Sequence, residues 1–198
     1  MTREEFIEIL EKTKMFASDG EPYKVNYKIK GDKIIVTHKG SVYLDALTSI
    51  PPGVEFRNEG SVWLKSLTSL TPGVEFRNEG SVYLDALTSI PPGVEFKNKG
   101  GVNLNSLTSL PPGVEFSNEG NVNLGSLTSL PPGVVFSNEG YVNLNSLTSI
   151  PPGVVFKNEG SVYLKSIIGG WFQDWKGNIK GIEPKVLLNG MIKKGVFI

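Results

Sequence analysis

A twenty-residue unit governs this chain: SVYLDALTSIPPGVEFRNEG at 41–60 is followed by SVWLKSLTSLTPGVEFRNEG at 61–80, and the pattern runs on without a change of length. Six complete units begin at Gly40, Gly60, Gly80, Gly100, Gly120 and Gly140, and a seventh opens at Gly160 as GSVYLKSII before it diverges. One unit is too short to bury its own apolar face. Stacking on its neighbours is the way such a sequence forms a core.

Within the first unit Val42, Leu44, Leu47, Ile50, Val54 and Phe56 are apolar, and the equivalent positions are apolar in every complete copy. Val42 with Leu44, and Val54 with Phe56, alternate with period two, as short strands with one buried face do. Leu47 and Ile50 are three apart, which fits a bend. Pro52-Gly53 suits a type II turn, because Pro presets the first central dihedral and Gly accepts positive φ at the second. Asn58-Glu59-Gly60 marks the other corner. The expected fold is therefore mainly β: a right-handed parallel β-solenoid of twenty-residue coils about 4.8 Å apart. Phe56, Phe76, Phe96, Phe116, Phe136 and Phe156 then stack inside, and Asn58 and its equivalents form either an amide ladder or a column of corner caps.

The runs LTSIPPGV and LTSLPPGV resemble the L-T-x-L-P stretch of leucine-rich repeats, although here Asn follows as V-x-F-x-N rather than in the usual strand signature. Taken with the C-terminal WFQDWKGNIKGIEPKVLLNGMIKKGVFI, residues 40–198 are similar to leucine-rich-repeat-like proteins with twenty-residue repeats encoded by tailed phages and large DNA viruses. That resemblance implies a leucine-rich-repeat-like solenoid of viral origin. It carries no activity.

Both ends read as covers for strand edges. Residues 1–39 form an N-terminal cap, 40–168 the solenoid and 169–198 a C-terminal cap. Thr2-Arg3-Glu4-Glu5 is a capping box, and Phe6, Ile9 and Leu10 make an apolar stripe on a helix over residues 3–14. Tyr23 to Lys30 alternates as a strand, Gly31-Asp32 turns, and Lys33 to Val36 returns with Ile34 and Val36 in register with Val54 and Phe56. At the other end Trp171, Phe172 and Trp175 form an aromatic plug. Pro184 opens a helix carrying Val186, Leu187, Leu188, Met191 and Ile192, with Gly195 as its stop.

Function belongs on the outward columns, since packing occupies the inward ones. One column runs Tyr43, Trp63, Tyr83, Asn103, Asn123, Asn143, Tyr163, and another Asp45, Lys65, Asp85, Asn105, Gly125, Asn145, Lys165. Tyr43, Trp63, Tyr83, Asp45, Lys65 and Asp85 are the candidate partner-binding residues, because large amphipathic rings dominate interface energies; the structural alternative is cross-strand stabilisation. Glu55, Glu75, Glu95 and Glu115 alternate with Arg57, Arg77, Lys97 and Ser117 as a solvated charge ladder. Val135 and Val155 replace that Glu in the last two units and, with Trp171 and Trp175, make a second candidate patch.

The 198 residues carry 20 Lys+Arg against 20 Asp+Glu, so no global field draws the chain to nucleic acid or an anionic membrane. Cysteine is absent and His38 is the one histidine, which removes thiol catalysis and a His or Cys metal cluster. No phosphate loop, zinc motif or Ser-His-Asp set occurs. The expectation is a non-enzymatic binding or scaffold protein without cofactor, recognising another protein. The alternatives are a virion structural or assembly component, and a carbohydrate-binding module using the Tyr/Trp stripe. MTREEFIEILEKTKMF has no uninterrupted apolar stretch like that of a secretory signal, so the cytoplasm is the default location, or the host cytoplasm or virion if the protein is viral.

Overall fold

The computed structural model describes residues 1–16 and 22–168, together with the strands Trp171–Gln173, Ile179–Lys180, Ile192–Lys193 and Val196–Phe197. Residues 40–168 form a parallel β-solenoid of twenty-residue coils. Each coil contributes one strand of the Val42–Tyr43 kind and one of the Val54–Phe56 kind, and each pairs with its equivalent twenty residues away. We call the two resulting sheets the V-x-L sheet and the V-x-F sheet. Among the described residues the V-x-L sheet has nine strands and the V-x-F sheet ten.

Inward columns are buried along the rod. Phe56, Phe76, Phe96, Phe116 and Phe136 are fully enclosed, and the rings from Phe56 to Phe156 stack in near-parallel pairs with centroids 5.1–5.6 Å apart. That separation follows the strand spacing, because rings held in register cannot be further apart than the backbones allow. Leu44 and Leu47 are joined by a turn, Leu47 N–H donating to Leu44 O at 3.0 Å. Each Pro-Gly turn, or Pro-Pro-Gly turn in most coils, places its glycine at positive φ, between 74° and 84° from Gly53 to Gly153.

The second corner explains the other invariant glycine. A Cβ on Gly100 would lie 2.4 Å from both Gly80 C and Ser81 N, and the equivalent corner glycines from Gly60 to Gly160 are as tightly held. Here backbone rests on backbone, and the asparagine column satisfies the carbonyls that result. Asn98 Nδ2 donates to Gly80 O at 3.2 Å and Gly100 O at 2.8 Å, and Asn58, Asn78, Asn118 and Asn138 do the same in their coils. The column is thus a set of corner caps and not an amide ladder.

At the N-terminus helix α1 (Arg3–Lys12) carries the capping box, with Glu5 N–H donating to Thr2 Oγ1 at 3.1 Å and Thr2 N–H to Glu5 Oε2 at 2.7 Å. Phe6 and Leu10 enter the core. The helix stops short of residue 14 at Thr13, whose backbone N–H and hydroxyl both donate to Ile9 O, at 2.8 and 2.7 Å, while its own backbone is already extended. Strand β1 (Lys14–Phe16) follows and pairs antiparallel with β2 (Pro22–Lys24). The alternating run 23–30 is accordingly two strands and not one: β2 ends at Lys24, Val25 turns into the core, and β3 (Tyr27–Lys30) pairs with β4 (Lys33–Val36). Gly31 makes the turn at φ 57°. β4 then joins the solenoid in the expected register, Ile34 opposite Val54 and Val36 opposite Phe56.

Antiparallel strands also finish the C-terminal end. Trp171–Gln173 pairs with Val162–Leu164 and with Ile179–Lys180 on the V-x-L sheet, and Val196–Phe197 pairs with Val155–Phe156 and with Ile192–Lys193 on the V-x-F sheet. Trp175 and the segment from Pro184 through Val186, Leu187, Leu188 and Met191 lie outside the described residues, as does Gly195. Ile192, expected on that helix, is in a strand.

His38 occupies the corner position equivalent to Asn58 and is buried, 7% exposed. Burial pushes its pKa below the ordinary 6.5, against the opposing field of Glu59. A depressed histidine pKa means that the unfolded chain binds the proton first, so the contribution to stability is present above about pH 6.5 and is lost as pH falls from there through the folded value. His38→Asn, which restores the corner residue of the other coils, is expected to flatten the fall in melting temperature between about pH 7 and 5; an unchanged slope would contradict the assignment. Independently, Gly100→Ala is expected to cost about 3 kcal/mol, the upper end of overpacking penalties, in urea unfolding. Gly113→Ala, where the space is open and only the positive φ objects, should cost about 1 kcal/mol.

Candidate functional site

The outward face of the V-x-L sheet carries the aromatic column. Tyr43 is opposite Trp63, and Trp63 opposite Tyr83, so parallel pairing alone brings the rings together. Tyr43 and Trp63 stack with centroids 5.7 Å apart, Trp63 and Tyr83 at 4.0 Å. Lys65 Nζ lies 4.5 Å from the centre of the Trp63 ring, a cation–π contact. Asp45 Oδ1 accepts the Lys65 backbone N–H at 2.9 Å, and Asp85 follows half-buried in the next coil. Tyr43 is 50% exposed whereas Trp63 and Tyr83 are half-buried, which leaves a continuous amphipathic ridge across three coils. The six candidate residues therefore form one surface.

Beyond Tyr83 the ring stack stops, because Asn103 supplies no ring. The neighbouring column runs Ser41, Ser61, Ser81, Gly101, Asn121, Tyr141, and Gly101 alone in it has no side chain. These two changes open a notch of about 190 Å³ lined by Tyr83, Gly101, Asn103, Asn121, Asn123 and Tyr141. Sequence reasoning passed over this feature; its signal was the unit at Gly100 that begins GGVNL, where a second glycine takes the place of the Ser, Asn or Tyr of the other units. On the V-x-F side a second hollow of about 280 Å³ forms where the basic column shrinks to Ser117, lined among others by Lys97, Pro112 and Glu115.

The acidic ladder is enclosed at its N-terminal end, while Glu115 at the other is exposed. Glu55 is 2% exposed, beneath Arg57, Arg77 at 3.4 Å and Lys33 at 3.9 Å. Glu75 pairs with Lys33 at 2.6 Å and Arg77 at 2.7 Å, and Arg77 reaches on to Glu95 at 3.0 Å. Lys33 comes from the hairpin, so the N-terminal cap is clamped to two coils through one ammonium. Partial burial pushes the Glu75 carboxyl upward, but hydrogen bonds from Lys33 and Arg77 outweigh it and hold the group below its ordinary 4.5. Lys33 is raised in turn by its bond to Glu75. A carboxylate held ionised as Glu75 is would be poorly suited to general acid work.

Val135 and Val155 lie side by side, half-buried, on the V-x-F sheet. Val196–Phe197 pairs along the edge of the Val155 strand and so extends that sheet. Trp171 sits in a strand of the other sheet, opposite Leu164, so backbone pairing does not unite it with the two valines. Among the described residues no group of three or more His, Asp or Glu could hold a metal ion, and no helix is long and apolar enough to cross a membrane. In comparisons with known proteins, no family model, curated protein or solved structure matches the chain.

The Glu75 carboxylate contributes stability that is present above about pH 4.5, the ordinary value, and lost as pH falls through its depressed value. Glu75→Gln should therefore lower the melting temperature at pH 7 and leave a shallower decline between about pH 5 and 3. Parallel curves for the two proteins would show that the clamp does not act through this charge.

Proposed function

We propose that this is a non-enzymatic binding or scaffold protein whose V-x-L sheet presents the Tyr43–Trp63–Tyr83 ridge to a protein partner. The observation behind this reading is the contrast between interior and exterior: the inward columns repeat coil after coil, whereas the outward ones change. A ladder needed only for stability would be uniform, as the phenylalanine stack is. The ridge instead occupies three coils, is flanked by Asp45, Lys65 and Asp85, and combines stacked rings with charges of both signs, the composition that anchors interfaces. Antiparallel strands beside the N-terminal end of the V-x-F sheet and the C-terminal ends of both sheets favour contact through the sides over end-to-end assembly. The twenty-residue unit taken together with the C-terminal WFQDWKGNIKGIEPKVLLNGMIKKGVFI supports a phage or viral source, with the host cytoplasm or the virion as the place of action.

The test replaces Tyr43, Trp63 and Tyr83 together by Asn, the residue that the same column carries at 103, 123 and 143, so that the coil geometry is retained. A partner captured by the parent protein should bind the triple variant at least roughly a hundredfold more weakly, the scale of a lost hot-spot cluster. Equal capture by a variant with an unchanged melting curve would remove the ridge as the binding surface.

A further inference from the structure

We infer that the notch beside Tyr83 is a subsite for one neutral sugar residue of an oligosaccharide. Three side-chain amides line it, and in each the oxygen is already committed within the chain. Asn103 Oδ1 accepts from Asn105 N–H at 3.3 Å, Asn121 Oδ1 from Tyr141 N–H at 3.0 Å, and Asn123 Oδ1 from Asn143 Nδ2 at 2.9 Å. Backbone donors fix the first two. The third is fixed because Asn143 Oδ1 itself accepts Asn145 N–H at 3.2 Å, which leaves Asn143 Nδ2 as the donor. Each amide therefore offers its NH₂ group in a settled orientation, with no acceptor for it among the described residues. The amide chain from Asn143 to Asn123 is not continued to Asn103, and the break coincides with the notch.

An occupant must be rich in acceptors, since three NH₂ groups meet it, and uncharged, since no ionised side chain lines the notch. It must also present an apolar face. Trp63 covers one side of Tyr83 at 4.0 Å, and the stack ends there, so the other side of the ring looks along the rod over Asn103. A pyranose meets all three demands: hydroxyl and acetamido oxygens for the amides, no charge, and a C–H face for the ring. At about 190 Å³ the notch is smaller than the roughly 300 Å³ at which sites for drug-sized ligands begin, which restricts it to a single ring. Gly101 lines the notch without a side chain, and a Cβ there would be crowded against the next coil, 3.1 Å from Asn121 O.

The notch shares Tyr83 with the protein-binding ridge but extends away from it over Asn103, so Tyr43→Asn tests the ridge alone and Asn103→Tyr the notch alone. The probes are chito-, cello- and malto-oligosaccharides titrated into the full chain while the NH₂ resonances of Asn103, Asn121 and Asn123 are followed by NMR. Saturable shifts are expected with at least one series at roughly millimolar affinity. Tyr83→Asn and Asn103→Tyr exchange residues that the column already carries, so the fold is kept. The first removes the platform and the second fills the notch, and each should weaken binding about tenfold. Tyr43→Asn, two coils away, should leave it unchanged. Absence of saturable shifts with all three series, or shifts that survive both notch variants, would overturn the assignment.

Discussion

Backbone contact at the glycine corner is the constraint on which the rest of the rod depends. Gly60 and its equivalents rest against the previous coil at distances no Cβ could tolerate, and this lets successive turns of chain lie at strand spacing. Once they do, strand pairing, the phenylalanine stack and the asparagine caps are all brought into register by the same translation. The asparagines are more than a consequence of it. Their NH₂ groups tie two neighbouring coils together at the corner: Gly80 O accepts both the Gly100 backbone N–H and Asn98 Nδ2, which also donates to Gly100 O.

The interior was legible in the sequence because its physics is periodic. Val42, Leu44, Val54 and Phe56 declare two short strands by their spacing, and Ile34 with Val36 shows the same spacing one coil earlier, which is why the hairpin's entry into the solenoid could be read. Features set by partners distant in sequence were not legible. Glu55 looks like its neighbours in the ladder, yet it is buried because Lys33 and two arginines close over it, and nothing local announces that. The division of 23–30 into two strands likewise depends on partners, β1 for one half and β4 for the other. The aromatic ridge could be placed from its column, but the notch could not. It arises from two columns changing together, and each change taken alone looks like ordinary variation.

Differences between coils thus matter most where a side chain becomes smaller. Asn103 ends the ring stack and Gly101 lies beside it without a side chain, while Ser117 and Ser137 interrupt the basic column on the opposite sheet between Lys97 and Lys157. A solenoid with a fixed interior makes surface relief in this way, by omission within a column, without disturbing the stack beneath.

The near-parallel rings of Phe76, Phe96 and Phe116 show that the upper and lower faces of adjoining coils are interchangeable, with interplanar angles of 2° and 13°. Length along the rod is therefore a discrete variable, changing in steps of one coil, about 4.8 Å each. Unequal exchange between neighbouring copies of the coding unit would lengthen or shorten the protein without asking anything new of either terminus. The reach of the molecule and the spacing between its ridge and its C-terminal end can drift by duplication, while the join between any two coils stays the same.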